Sequence, residues 1–454
     1  MDFLLWIVVC AALVALIILL VLGVTKKLRL SGFDTTDALT GIGNKKYLRR
    51  CFEHNISGYR NYYCLLYIAF DAFNAEKNYG KEKTEELQKF SAKIISSASD
   101  EYDYFARTDN GVFACLIRYS EMKKATERIE QLISSLNKQQ GTVVRGISVS
   151  FRAGIYPLGE DNENFDTVFS GAETAYNYAD RTKVNYCICT NELLRGKATR
   201  DRLRQKLLSA IDDNQFDMFL QFIYNVGEKK FTSAEVLSRW NNPEEGFLLP
   251  GHYINDMRNT GVISKFDYYM LDKTCALLAE WQKTGEQNLN LSCNITRITI
   301  SEEDFLEKLH NIVKKYDFDR QKLMLEITED ALIDNQAVAY RNISDCKTAG
   351  IRIAIDDFGA GNTSFNDICN YPVDLIKIDR EIVTKSTNEK GSAVISSLVG
   401  LAHNLGIKIL CEGVETEEQN NAVVNNGSDY VQGYFHSYVF PLAEAMEYYE
   451  KSSE

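Results

Sequence analysis

A chain of 454 residues exceeds one ordinary domain, and two or three are expected. Its formal net charge of −12 argues against duplex nucleic acid, whose phosphates need a basic surface, though not against a small phosphate ligand whose charge is met by metal. His54, His252, His310, His403 and His436 show no HExxH or clustered spacing for a zinc centre, and the 11 cysteines, odd in number and without a CxxC pair, fit a reducing compartment better than a disulfide framework.

From Phe3 to Thr25 the sequence carries no charge, which is long enough to cross a bilayer as a helix. Lys26, Lys27 and Arg29 follow directly, so the positive-inside rule places the later domains in the cytoplasm. A signal peptide is the competing reading, but no basic stretch precedes the run and no small-x-small site closes it. Residues 1–25 are therefore expected to be a single-pass anchor in the cell membrane.

Residues 26–193 alternate strand-like and helical patterns. Cys64–Phe70, Val112–Ile117, Ile147–Ile155 and Val184–Cys189 read as strands; Glu85–Ser97, Lys123–Leu136 and Phe165–Ala179 read as helices, giving an α/β domain. Asp37-Ala38-Leu39-Thr40-Gly41-Ile42-Gly43-Asn44-Lys45 resembles the opening of GGDEF domains, the diguanylate cyclase fold. Arg107-Thr108-Asp109-Asn110-Gly111-Val112 stands where that family has its signature hairpin. The resemblance is to a degenerate member: Asp109 and Asn110 replace the turn glycines, Gly111-Val112 replaces the acid pair, Ala69 stands at the first metal-binding aspartate, and Asp100 stands where the inhibitory site needs an arginine. A cyclase needs carboxylates for Mg²⁺ and an open turn for its nucleotide. The resemblance so altered implies a catalytically inactive regulatory domain and leaves GTP binding there open.

In residues 194–454 apolar runs repeatedly deliver polar groups at or near their ends. Phe231–Leu237 carries Glu235, Leu289–Asn294 ends in Asn294, Leu323–Glu329 carries Glu326 and Glu329, and Ile351–Ile355 stops at Asp356-Asp357. Leu375–Asp379 places Lys377, Ile409–Glu412 delivers Glu412, and Tyr430–Tyr434 places Gln432. With Met218–Tyr224 the strands number eight, and amphipathic stretches separate most of them, which predicts a (β/α)8 TIM-like barrel with these groups gathered on one rim. Adjacent carboxylates repel unless cations sit between them, and many hard oxygen ligands beside a lysine suit metal-assisted phosphoryl or enolate chemistry.

The ordered set Glu235-Val236-Leu237, Glu326-Ile327-Thr328-Glu329, Asp356-Asp357-Phe358-Gly359, Lys377-Ile378-Asp379, Glu412-Gly413-Val414-Glu415-Thr416 and Gln432-Gly433-Tyr434 resembles the EAL family of cyclic di-GMP phosphodiesterases over nearly the whole segment. The resemblance implies two divalent cations, Mg²⁺ or Mn²⁺. Glu235, Asn294, Glu326 and Asp356 match the ligands of one, and Asp356 and Asp357 those of the other. Glu412 matches an acid at the metal shell, Lys377 a lysine near the attacking water, Gln432 a group orienting water or substrate, and Glu329 an acid bracing the loop after the aspartate pair. Gln221 and Arg239 match substrate contacts. The implied reaction opens cyclic di-GMP to linear pGpG, and the implied assembly is a homodimer through the EAL and cyclase-like domains. Val236, Phe222, Ala360, Asn362 and Thr363 depart from the family pattern without removing a ligand. A non-catalytic cyclic di-GMP receptor is the rival reading; it would predict a missing ligand or lysine, and none is missing.

Overall fold

The computed structural model describes residues 34–159, 163–285, 288–328, 336–359 and 371–453. The anchor expected at 1–25, Glu329 and the loop 360–363 lie outside the described residues. Among the described residues no helix is long and apolar enough to cross a membrane. Two compact units divide at Thr199 and Arg200, and the helix Asn191–Asp212 runs through that division.

The first unit is a six-stranded sheet in the order β1 (Gly43–Asn44), β3 (Tyr104–Asp109), β4 (Val112–Arg118), β2 (Tyr63–Ala69), β5 (Arg152–Pro157), β6 (Tyr186–Ile188). Every residue of β2 is buried because it is flanked by antiparallel partners on both edges and covered on both faces. One face packs on Leu87, Ile129, Ile133 and Phe151, the other on Phe52, Phe165, Val168 and Ala172. The hairpin joining β3 to β4 turns at Asn110-Gly111, with φ +71° at Gly111, the backbone that an Asn-Gly pair supplies at little cost.

The second unit closes eight strands into a barrel: β7 (Phe216–Asn225), β8 (Lys230–Asn242), β10 (Asn290–Asn294), β11 (Leu323–Thr328), β12 (Arg352–Phe358), β13 (Leu375–Ile378), β14 (Lys408–Cys411) and β15 (Tyr430–Val431). Two short strands, β9 (Gly246–Leu248) and β16 (Val439–Pro441), pair antiparallel with β8 at Trp240–Asn242 and with β7 at Phe219–Gln221. Helices including Ile263–Thr284, Phe305–Val313, Gln336–Thr348, Glu389–Asn404 and Glu417–Asn425 fill the connections.

The expected count of eight strands holds, but the barrel is not a regular (β/α)8. Strand β7 runs antiparallel to both its neighbours, β8 and β15, while the other adjacent pairs are parallel. The reason is chain length. Parallel neighbours need a crossover of about a dozen residues or more, whereas Val226–Lys229 is a tight turn held by Glu228 N–H donating to Asn225 Oδ1 at 3.0 Å.

Side chains inside the barrel follow the two-residue period of a strand. Arg352, Ala354 and Asp356 succeed one another along β12, and Asn290, Ser292 and Asn294 along β10. Lys408 and Leu410 lead to Glu412, and Leu375 to Lys377. Ile223, Ala354, Leu375 and Leu410 form a small buried apolar layer across the interior, with Met324 and Tyr430 packed on it.

Candidate active site

Above that layer the interior turns acidic. Lys377 arrives from β13 with 1% of its surface exposed. Its Nζ lies 2.6 Å from Glu326 Oε2, 2.6 Å from Glu412 Oε1, 3.0 Å from Asp356 Oδ1 and 3.3 Å from Glu235 Oε2. Burial opposes the charge on this amine, but Asp356, Glu235, Glu326 and Glu412 outweigh it and hold its pKa well above the usual lysine value. Burial pushes Glu326 up to about 8, with Glu235 reinforcing the shift and Lys377 opposing it. Glu412 is raised well above the ordinary carboxylate range by the same balance, burial first. With Asp357, five carboxylates face one ammonium, so the cluster holds more negative charge than its own side chains neutralise.

Glu235 stands inside the long strand β8, directly across from Gln221 on antiparallel β7. Its Oε1 accepts from Asn294 Nδ2 at 2.8 Å and its Oε2 from Gln432 Nε2 at 2.8 Å. Gln432 Nε2 also donates to Gln221 Oε1 at 3.1 Å, and Gln221 Nε2 donates to the Ser437 carbonyl at 3.2 Å. The residues expected from four separate motifs thus form one hydrogen-bonded chain.

The aspartate pair solves a problem of strand geometry. Regular alternation would aim Asp356 and Asp357 at opposite faces of β12. Instead the register against β13 shifts between Ile355 and Phe358, and Asp357 takes the left-handed backbone, φ +54°. The bulge turns both carboxylates into the same mouth, where oxygens of Asp356, Asp357 and Glu412 lie within 4.8 Å of one another. A left-handed conformation costs a residue with a β-carbon about 1–2 kcal/mol. Burial and then the Asp356 charge raise the Asp357 pKa.

These donors suit divalent cations of the hard, oxygen-loving class. The Asp356–Asp357–Glu412 oxygens converge, and Glu326 Oε1 is buried with no hydrogen-bond partner among the described residues. The proton that Glu326, with its pKa at about 8, holds at neutral pH in the metal-free state is one that a cation would displace, and the raised pKa of Glu412 acts in the same direction.

A cleft of about 200 Å³ opens over the cluster, lined by Gln221, Glu235, Glu412, Gln432 and also by Arg380 and Tyr434. Arg239, four residues beyond Glu235 on β8, is half-buried beside it. Its Nη1 donates to the Ser238 carbonyl at 2.8 Å, and its guanidinium lies 5.2 Å from the Phe219 ring centre. Burial lowers its pKa from the ordinary arginine value.

Sequence reasoning missed Asp267. It is buried on the helix Ile263–Thr284, and its Oδ2 accepts from Thr296 N at 2.8 Å, Thr296 Oγ1 at 2.6 Å and Thr299 Oγ1 at 2.6 Å. Those bonds fix the turn that leaves Asn294. Burial raises its pKa to about 6 despite them. An aspartate within the apolar stripe of a helix was the available signal.

Comparison with known proteins agrees with this geometry. The EAL domain model matches residues 204–438, and the model for "Diguanylate cyclase, GGDEF domain" matches residues 34–186. The bifunctional diguanylate cyclase/cyclic di-GMP phosphodiesterase MucR of Pseudomonas aeruginosa is 24% identical over 406 residues, 88% of this chain and 59% of that protein. The cyclic di-GMP phosphodiesterase RocR of the same organism is 30% identical over 243 residues, 53% of this chain and 62% of that protein. The signaling protein YkoW of Bacillus subtilis is 25% identical over 370 residues, 80% of this chain and 46% of that protein. This chain therefore spans roughly half of the length of the curated relatives it matches. Among solved structures, the PaMucR phosphodiesterase in complex with c-di-GMP superposes with a TM-score of 0.51 at 25% identity, covering 54% of this chain and 99% of that one.

Proposed function

Since the chain belongs to the EAL domain family, we propose that its barrel is a phosphodiesterase that hydrolyses cyclic di-GMP to linear pGpG. The observation that carries this reading is the convergence of Glu235, Glu326, Asp356 and Glu412 on Lys377, with Asn294 and Gln432 bonded to Glu235. Glu235, Asn294, Glu326, Asp356 and Asp357 would hold two divalent cations, which, when bound, supply charge to the phosphodiester and lower the pKa of water. Lys377 neutralises the excess carboxylate charge and stands ready to orient the attacking water. The buried Gln432 Oε1, which has no hydrogen-bond partner among the described residues, offers that water an acceptor. Arg239 beside the cleft and Arg380 in its wall are proposed phosphate contacts, although Arg380 Nη2 is paired with Glu415 Oε1 at 2.8 Å and would have to share or exchange that bond. Tyr434, 52% exposed at the rim, presents a ring face on which a guanine can stack.

The cyclase-like unit is proposed to be inactive and regulatory. Ala69 closes β2 without a carboxylate, and the side chain of Asp71 is spent capping the following helix, accepting from Asn74 N at 2.9 Å. The hairpin turn is stitched down: Asn110 Oδ1 accepts from Gln88 Nε2 at 2.9 Å, and Asn110 Nδ2 donates to Glu76 Oε1 at 3.0 Å. Full-length protein given GTP and Mn²⁺ should form no cyclic di-GMP. If GTP alters kcat or KM of the barrel, the unit senses nucleotide; unchanged constants would leave it the role of setting dimer geometry. Residues 1–25 are proposed as a membrane anchor, to be checked by fractionating cells that express the chain.

The deciding experiment is hydrolysis of cyclic di-GMP by the full chain with Mg²⁺ or Mn²⁺, beside Asp356→Asn. Linear pGpG from the unaltered protein alone supports the enzyme. Tight binding with no product from either would make the barrel a receptor.

A further inference from the structure

We infer that the opposite, N-terminal mouth of the barrel is a second binding site, in which the buried edge of the Arg352 guanidinium holds a small organic monocarboxylate. A cavity of about 250 Å³ lies there, formed where the strands begin. The share of liquid volume taken by one water is about 30 Å³, so the space is several waters large. Ile223, Met324, Leu375 and Leu410 provide apolar walls. Arg352, the first residue of β12, projects among them.

Arg352 Nε and Nη2 are buried here, and among the described residues neither has a hydrogen-bond partner. These two N–H groups lie side by side along one edge of the planar fork, the edge that grips both oxygens of a carboxylate. Ser292 Oγ, also lining the cavity, is likewise buried and without a partner. Native proteins seldom leave such donors unmade, and each unmade one calls for an occupant.

The other charges around the cavity are already committed. Asp374 is paired with Lys347, and its Oδ2 accepts from Ile353 N at 2.8 Å. Lys408 Nζ lies 2.8 Å from Asp429 Oδ1. With Asp374 and Asp429 each matched by a lysine, the lining keeps one net positive charge, that of Arg352, which Asp374 offsets only in part. That favours one negative charge in the ligand over two, and Asp374 in the wall would repel a second. The apolar walls favour a short alkyl chain behind the carboxylate. A dianion such as phosphate satisfies neither condition. The layer of Ile223, Ala354, Leu375 and Leu410 separates this site from the acidic cluster above, so it is not part of the phosphodiesterase site.

The test uses the full chain with butyrate as probe, butyramide as its uncharged counterpart and inorganic phosphate as the rival anion. Ligand-observed NMR and thermal unfolding are the readouts. Butyrate should bind saturably and raise the Tm, butyramide should not, and Arg352→Met should weaken butyrate at least tenfold. Arg352→Lys, which keeps the charge and loses the fork, should also weaken it, and Ser292→Ala should do so with little effect on folding. Without butyrate, Arg352→Met should leave the Tm unchanged or higher, because no bond to Arg352 Nε or Nη2 is lost. Ordered water alone, seen as no butyrate binding, overturns the proposal. So does equal binding by the variants, tighter binding of phosphate, or a clear fall in Tm for Arg352→Met, which would make Arg352 a structural anchor.

Discussion

Lys377 Nζ and Glu326 Oε2 meet at 2.6 Å with at most 1% of either side chain exposed. Above about pH 8, where Glu326 ionises, neither charge could sit there alone. Removing one member of such a buried pair leaves the other uncompensated, which typically costs about 3–5 kcal/mol. Lys377→Met also deletes the common partner of Glu235, Asp356 and Glu412. Denaturant unfolding of this variant without metal should show a loss within that range above about pH 8, and a smaller one at neutral pH, where Glu326 already holds a proton. Cyclic di-GMP turnover should fall by about a hundredfold or more, the scale of a lost proton-handling group. A variant as stable and as active as the parent would remove Lys377 from both roles.

Metal and pH should act on the same carboxylates. Folded Glu326 keeps its proton up to about pH 8, whereas the unfolded group releases it near 4.5. Between those values the folded state binds more protons, so this contribution is fully present below the lower value and is lost as pH rises through the upper one. Glu412 and Asp357, also raised, act in the same direction. In EDTA the Tm should therefore fall as pH rises from about 5 to 8, by an amount corresponding to about 1–3 kcal/mol. Saturating Mn²⁺ should flatten that slope, because cations replace the protons. Parallel slopes with and without Mn²⁺ would contradict a metal site at these residues.

Asp357 carries a cost that only function explains. Its left-handed φ of +54° disfavours a residue with a β-carbon, and its raised pKa shows a place that disfavours the ionised side chain. Asp357→Gly relieves the backbone strain and one like-charge contact, so the metal-free protein should be more stable by about 0.5–1 kcal/mol. The same change removes an oxygen that converges with Asp356 and Glu412, so hydrolysis should collapse. Measuring Tm in EDTA beside turnover in Mn²⁺ separates the two effects. A Tm that falls would mean that the Asp357 side chain stabilises the bulge.

The alternation Ile351, Ile353, Ile355 and the abrupt Asp356-Asp357 made β12 and its acidic end legible from sequence, as hydrophobic period and charge did for most of the barrel. What was not legible depended on register. The Asp357 bulge, the mid-strand position of Glu235 and the reversed direction of β7 are set by pairing between distant segments, although the four-residue turn Val226–Lys229 was a clue to the last. Arg352 was invisible for a related reason. A basic residue at the start of a strand ordinarily reads as a solvated end, and only barrel closure turns it inward.

Asp267 lies one step back from the chemistry. Its carboxylate gathers three hydrogen bonds from Thr296 and Thr299, and through them fixes the exit of β10 just after Asn294. Asp267→Asn keeps the shape but can turn a donor toward the Thr296 N–H. Leaving that buried group unmatched should cost about 1–3 kcal/mol. The predicted kinetic signature is weaker apparent Mn²⁺ affinity with turnover at saturating Mn²⁺ reduced less. Unchanged metal dependence would confine Asp267 to a structural role.

Gly433 explains how Gln432 is held against Glu235. The Gly433 backbone, at φ +154°, passes so close to Val414 that an added β-carbon would lie 2.2 Å from the Val414 carbonyl oxygen. Neither strand end can yield easily, since Val414 N–H donates to the Gln432 carbonyl at 3.1 Å and Phe435 N–H to the Val414 carbonyl at 3.0 Å. Gly433→Ala must therefore push the two segments apart, a crowding cost of about 1–3 kcal/mol. Gln432 and Glu412 ride on those segments, and a displacement of about 1 Å near the reacting atoms can cost a hundredfold in rate. The expected result is a folded protein with kcat reduced by roughly tenfold to a hundredfold, read by circular dichroism and by cyclic di-GMP hydrolysis. Full activity in this variant would show that the close approach is incidental and that Gln432 does not depend on it.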